Sequence, residues 1–288
     1  MLATSALGHD PGRLDRVESL SHHVFLGATI VVKIIDADGH SRLGREIVLG
    51  PDLPTGLSAP VLASGRRTTE VGDIRYACIA RLPGRSPGMG LAGVDRATAR
   101  RWAKQAVEKL QSLHAWSPGP QAAAVLRESL DHGGFVGRTK LQRLIREVNV
   151  DVISPPLFNG LAAIADRAPD QAETIVPVHA DCHWGNWLVH QDEVTALLDF
   201  EWARFGEPAD DWVFLSRFSG PHQQTVLTVI SEATGTPLSQ LRAACEVREA
   251  AYLTSDLLLA IKQGDEAQDI VRDLRTMVVD RSWWQSPE

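Results

Sequence analysis

Residues 179–190 read HADCHWGNWLVH, and residues 197–203 read LLDFEWA. The first stretch holds three histidines, a cysteine, an aspartate and an asparagine in twelve residues. So many polar side chains form a poor core, because each needs a hydrogen-bond partner once it leaves water. Three readings compete. A zinc site would draw on His179, Cys182, His183 and His190. H-x-x-C-H is not a common zinc spacing, however, and no second Cys or His pair completes a tetrahedral set. A polar turn between strands would need no particular chemistry from these groups. A catalytic loop would use Asp181 and Asn186, and the flanking sequence decides in its favour.

Immediately upstream, ETIVPV is a short strand leading into the loop. Downstream, WLVH and VTALLDF read as a hairpin whose second strand ends at Asp199. Nearer the N-terminus, VFLGATIVVKII (24–35) is rich in β-branched residues and reads as strand, with a turn at Gly27 and Lys33 near its end. DADGH (36–40) is a tight turn. Ser41 then caps a short helix that carries Glu46 and buries Leu43, Ile47 and Val48. APVLAS and DIRYACIARL add two strands. After Leu82 the character changes. PGRSPGMGLAG is a linker. Beyond it Trp102, Ala106, Val107, Leu110 and Leu113 mark one face of a helix over 95–116, capped by Asp95. Further helices are expected near 121–130, 138–149 and 156–167, and from about 210 onward. The expected fold class is α+β in two lobes: residues 1–82 a small β-rich N-lobe, residues 83–288 a larger α-helical C-lobe.

Composition excludes several classes. The 288 residues carry a formal net charge of −7, with 44% hydrophobic and 23% charged residues. A nucleic-acid partner calls for a basic excess, which this chain lacks. Cys78, Cys182 and Cys245 are too few and too far apart for a disulfide framework and fit a reducing cytoplasm. No secretion signal is expected. The most apolar stretch, VFLGATIVV, stops at Lys33, too short to span a bilayer, so no membrane partner is expected. GMGLAG (88–93) is a literal G-x-G-x-x-G, but it does not open from a strand end, so it reads as an interlobe segment and not as a dinucleotide fingerprint.

The remaining polar groups suit phosphoryl transfer. A triphosphate must be gripped by a cation, and a strand lysine, Lys33, held by a helix glutamate, Glu46, supplies one. Magnesium wants oxygen ligands, which the Asn186 amide and the Asp199 carboxylate provide. The attacking hydroxyl must lose a proton, and the loop aspartate Asp181 can accept it.

HADCHWGNWLV resembles the H-G-D-x-H-x-x-N catalytic loop of the aminoglycoside phosphotransferase and choline kinase-like family, and LLDFEWA resembles that family's magnesium strand. REIVL resembles its helix-C segment, RYACIARLPG its last N-lobe strand and hinge, and GEPADDW the stretch after the magnesium strand. Order and spacing agree from roughly residue 18 to 260. The resemblance implies a protein-kinase-like fold and an ATP- and magnesium-dependent O-phosphotransferase. Asp181 would be the base, and Asn186 and Asp199 the magnesium ligands. Lys33 would meet the phosphates, held by Glu46, and the backbone of Ala80, Arg81 and Leu82 would meet the adenine. Ser21 and His22 stand where the nucleotide-covering loop belongs, His179 shapes the catalytic loop, and Asp210 braces it. Ala180 replaces a glycine, which is expected only to stiffen the loop, and Trp184 replaces a residue that is often proline. The acceptor the resemblance implies is a hydroxylated, cationic small molecule such as an aminoglycoside or another basic antibiotic, acted on by a monomer or homodimer. Two alternatives stay open: a metabolic kinase of the same fold acting on an amino alcohol or sugar, and a non-catalytic nucleotide-binding regulator. A protein kinase is disfavoured, because no A-P-E segment follows Asp199.

Overall fold

The computed structural model describes residues 2–19, 22–38, 42–70, 72–128, 130, 134–148 and 152–285. The β-branched stretch ahead of Lys33 makes two strands. The Gly27 N–H donates to Ile30 O at 2.8 Å and turns the chain back on itself. A short helix, α1 (Leu2–Leu7), and a strand, β1 (Asp15–Val17), precede them. β2 (His23–Leu26) and β3 (Ile30–Asp36) pair antiparallel. Helix α2 (Arg42–Leu49) follows, then β4 (Val61–Thr69) and β5 (Gly72–Ala80). The sheet order is β1-β2-β3-β5-β4.

Side chains alternate across a strand, so β3 serves two faces. Ile30 and Val32 pack with Cys78 and Ala3 of α1. Val31 and Ile35 join Leu43, Ala59, Ala77 and Ile79 on the opposite face. Lys33 shares their parity, so it projects on the α2 side. α2 buries Leu43, Arg45, Glu46 and Leu49. Ile47 is only partly buried and Val48 is 38% exposed, contrary to the sequence expectation. The inward stripe is set by the i, i+3 series 43, 46, 49, which takes the glutamate inside and turns Val48 out. A Cβ on Gly44 would lie 1.9 Å from the Arg75 guanidinium, so a larger residue there would displace that side chain. The expected cap, Ser41, lies outside the described residues.

The helical part begins where the Asp95 carboxylate accepts the Thr98 N–H at 2.9 Å and starts α3 (Arg96–His114). Then come α4 (Pro120–Arg127), α5 (Arg138–Glu147) and α6 (Pro155–Arg167). Two small antiparallel pairs hold the opening motif. β6 (Val176–Val178) pairs with β9 (Arg204–Gly206), and β7 (Trp187–His190) with β8 (Glu193–Leu197). α7 (Ala209–Arg217), α8 (Gln223–Thr234), α9 (Leu238–Gln263) and α10 (Gln268–Val278) complete the order. One apolar cluster joins these helices and encloses Trp184, Trp187 and Trp283. Burying each such large side chain contributes roughly 2–3 kcal/mol. The GMGLAG glycines adopt positive φ in a 3-10 turn, and the Gly90 N–H donates to Phe218 O at 2.8 Å. They therefore fit a loop to the end of α7 and do not open a nucleotide-binding helix. No helix among the described residues is long and apolar enough to cross a membrane.

Candidate active site

The β3 parity and the α2 stripe bring Lys33 and Glu46 together across the sheet face. Lys33 Nζ donates to Glu46 Oε2 at 2.7 Å and to Asp199 Oδ1 at 3.1 Å, and lies 3.9 Å from Glu201 Oε1. Burial works against the ammonium, but the three carboxylates, Glu46 foremost, outweigh it and raise the Lys33 pKa above its usual value. Burial likewise favours a neutral Asp199, yet Lys33 holds that carboxyl below the ordinary range. Both groups are therefore charged at neutral pH. Asp199 has φ +69, a left-handed conformation that aspartate tolerates. The chain then turns tightly through Phe200–Trp202, which places Glu201 beside the same lysine. Sequence reasoning gave Glu201 no role, although it stands two residues past Asp199 in the quoted motif.

Among the described residues, Glu46, Asp199 and Glu201 form a group whose ligand atoms lie within 4.8 Å of one another. Such oxygen donors fit a hard cation like magnesium. Asn186 Nδ2 donates to Asp181 O at 2.8 Å and to Asp181 Oδ2 at 3.2 Å. That contact ties the amide nitrogen to Asp181 and leaves the amide oxygen free of it. The zinc alternative has no such support. His179 Nε2 bonds Leu198 O at 2.9 Å, and its Nδ1 accepts the Asp181 N–H at 3.2 Å. Cys182 is buried and donates to Asp211 O.

The loop itself is held from α7. The Asp211 carboxylate accepts the N–H of His179 at 3.2 Å, the N–H of Ala180 at 2.7 Å and the His114 Nε2 at 2.8 Å. Asp210, the expected brace, instead takes the Arg248 Nε at 2.9 Å. Successive helix residues point about 100° apart, so only one of the pair can face the loop. Ala180 has φ +62. The alanine thus does more than stiffen the loop: it sits where a glycine would carry no steric cost. Asp181 is partly buried, and burial together with the Asp199 charge pushes its pKa up to about 7.

Lys33 and Glu46 also line a cavity of about 240 Å³. Leu26, Val31, Ile79, Leu188 and Leu198 line it, with Ala80, Arg81 and Leu82 along one edge. The N–H groups of Ala80 and Arg81 are taken by Pro60 O and Thr29 O, both at 2.8 Å. Ser21 lies outside the described residues. His22 does not join this cavity. Its Nε2 lies 2.9 Å from Glu201 Oε1, with both side chains 2% exposed. Beside Asp181, a cavity of about 80 Å³ is lined by Trp202, Arg204, Phe214 and Tyr252.

The model of the phosphotransferase enzyme family matches residues 47–247. Solved structures share the architecture. The GDP and kanamycin complex of APH(2")-IIia is 16% identical with a TM-score of 0.71, covering 97% of this chain and 96% of that one. A thermostable mutant of aminoglycoside phosphotransferase APH(4)-Ia, in ternary complex with ADP and hygromycin B, is 15% identical with a TM-score of 0.66 over 99% and 98%. Macrolide 2'-phosphotransferase MphH from Brachybacterium faecium is 21% identical with a TM-score of 0.62 over 93% and 92%. No curated protein sequence matches the chain. The fold is thus the two-lobed, kinase-like α+β fold that the sequence led one to expect.

Proposed function

The chain belongs to the phosphotransferase enzyme family, and from that premise we propose that it moves the γ-phosphoryl group of ATP, with magnesium, onto a hydroxyl of a small molecule. One observation carries the reading. Lys33 lies within 4 Å of Glu46, Asp199 and Glu201, and Lys33 and Glu46 line a cavity whose other walls are largely apolar. The nucleotide base would pack against apolar residues such as Ile79 and Leu188, and Lys33, aimed by Glu46, would meet the phosphates. Asn186 and Asp199, with Glu201 beside them, hold magnesium, which would offset the charge on the phosphate oxygens. Asp181 accepts the proton of the attacking hydroxyl. A base with a pKa near neutrality is well matched to that task. Most of the rate then comes from positioning and charge, since the transition state is loose.

GDP and ADP both occupy the similar structures, so ATP and GTP are the donors to compare. Kanamycin and hygromycin B in those structures make a hydroxylated antibiotic the first acceptor to try. A purely nucleotide-binding regulator would have no use for a carboxyl held near neutrality beside the metal ligands.

Thermal unfolding with ATP, with and without magnesium, tests the reading. At a ligand concentration a hundred times Kd, binding stabilises by about 2.7 kcal/mol. That gain should depend on magnesium in the wild type and vanish in Asp199→Asn. A wild-type protein indifferent to magnesium and nucleotide would refute the assignment.

A further inference from the structure

We propose that His183 is a second catalytic residue on the acceptor side, donating a hydrogen bond from Nε2 to the attacking oxygen while Asp181 takes its proton; this rests on the transfer reaction inferred above. In that step the acceptor oxygen bonds to the γ-phosphorus, the bond from phosphorus to the ADP oxygen breaks, and the hydroxyl proton passes to Asp181. His183 keeps its own proton throughout.

The position of the ring carries the proposal. His183 Nε2 lies 3.7 Å from Asp181 Oδ1, and the two side chains are 22% and 25% exposed. Both can therefore be reached from solvent. At that separation the groups are too far apart to bond each other, yet an oxygen about 2.8 Å from each fits between them. The other Asp181 oxygen, Oδ2, already accepts from Asn186 Nδ2 at 3.2 Å. The other ring nitrogen, Nδ1, is buried, so Nε2 is the one that can meet a ligand.

The loop and its neighbours hold the ring there. Phe218, just past the end of α7, meets it edge-on with the ring centroids 5.7 Å apart. A Cβ on Gly185 would lie 2.8 Å from both Nδ1 and Cε1 of His183, so the ring rests on bare backbone. The His183 carbonyl accepts the Asn186 N–H at 2.9 Å. The linker ahead of α3 is tied to the same parts: Ser86 Oγ donates to Gly185 O at 3.0 Å, and the Gly90 N–H to Phe218 O.

A hydroxyl oxygen carries one proton and two lone pairs. Between these groups its proton points at Oδ1 and one lone pair at Nε2, which leaves the second lone pair for phosphorus. The ring proton belongs on Nε2, because a bare nitrogen there would set its lone pair against a carboxylate oxygen. A protonated ring donates from Nε2 as well, so the role does not depend on the charge of the imidazole. Two bonds fix the oxygen where one would let it swing about Asp181, and positioning of this kind is what a loose transition state rewards.

Water is an acceptor that is always present, so magnesium-dependent ATP hydrolysis with no added alcohol reads the site. Glutamine carries its Nε2 about as far from the backbone as the histidine ring does, whereas asparagine falls a methylene short. His183→Gln should keep hydrolysis within about threefold of wild type, while His183→Asn and His183→Leu should lose about tenfold. The Kd for magnesium–ATP, read by thermal unfolding, should stay within about twofold in all three variants. Equal rates in the glutamine and asparagine variants overturn the proposal, and that comparison decides alone should His183→Leu not fold. A loss of nucleotide affinity that matches the loss of rate also overturns it, since His183 would then only support the loop. So does a wild type that binds magnesium and ATP but shows no hydrolysis. Failure to bind magnesium and ATP at all defeats the kinase reading itself.

Discussion

Asp181→Asn should make the protein more stable above neutral pH while removing its activity. In the folded, ligand-free chain the Asp181 carboxyl is pushed up to about 7 by burial and by the Asp199 charge. An unfolded aspartate titrates near 3.9. The sign follows from proton binding. Between those two values the folded state holds a proton that the unfolded state has released, so stability falls as pH rises, and the loss is complete about one unit above pH 7. At about 1.36 kcal/mol per unit, the whole shift corresponds to roughly 4 kcal/mol. The side chain is still 25% exposed, so solvent reaches it, and half of that, about 2 kcal/mol, is the reasonable figure. The new amide is neutral at every pH and can turn its oxygen to accept from Asn186 Nδ2. The difference in unfolding free energy between variant and wild type should therefore widen by about 1–2 kcal/mol from pH 5 to pH 8 and level off beyond. Urea unfolding at several pH values, with EDTA and no nucleotide, reads it directly. Turnover should fall by about 10²–10⁴, the share usually carried by a general base. Parallel pH–stability curves for the two proteins would refute the environment assigned to Asp181, and near-normal turnover would refute its role.

Two further outcomes follow from the supports around the site. The Arg45 guanidinium is 2% exposed and donates from α2 to Val125 O at 2.5 Å and to Ala203 O at 3.0 Å. Arg45→Met leaves both carbonyls without that donor and should cost about 2–4 kcal/mol in urea unfolding, with a higher KM for ATP because the neighbouring Glu46 loses its mooring; an unchanged midpoint and KM would show that α2 is held elsewhere. Asp211→Ala strips the carboxylate from two loop N–H groups and from His114. It should lower kcat far more than it changes ATP affinity, at a stability cost of about 3 kcal/mol or more, whereas the same change at Asp210 should spare the loop.

The parts of the site legible in the sequence were those carried by short motifs and their order. The spacing from Asp181 to Asn186 left one loop to hold both, and Lys33 and Glu46 followed from a strand lysine ahead of a helix glutamate, although the stripe expected for that helix left Glu46 outside. The illegible parts were contacts between distant segments or choices between neighbours. The His22–Glu201 pair spans the two lobes, and no pattern in either segment announces the other. Asp210 and Asp211 are identical in type and adjacent, so only the rotation of α7 tells them apart. Val48 was misplaced because hydrophobicity alone puts an apolar residue inside, whereas the charge on Lys33 draws Glu46 in instead. Ala180 joins these points. A left-handed alanine costs roughly 1–2 kcal/mol. The N–H of that residue and the N–H before it both donate to the buried Asp211 carboxylate. Hydrogen bonds to a charged acceptor contribute about 1.5–3 kcal/mol each, which is enough to hold the strained turn. Asp211 is kept ionised in turn by the His114 ring. The alanine is therefore tolerated because of a carboxylate thirty-one residues downstream of it, and the backbone turn that aims Asp181 depends on a helix it does not adjoin in sequence.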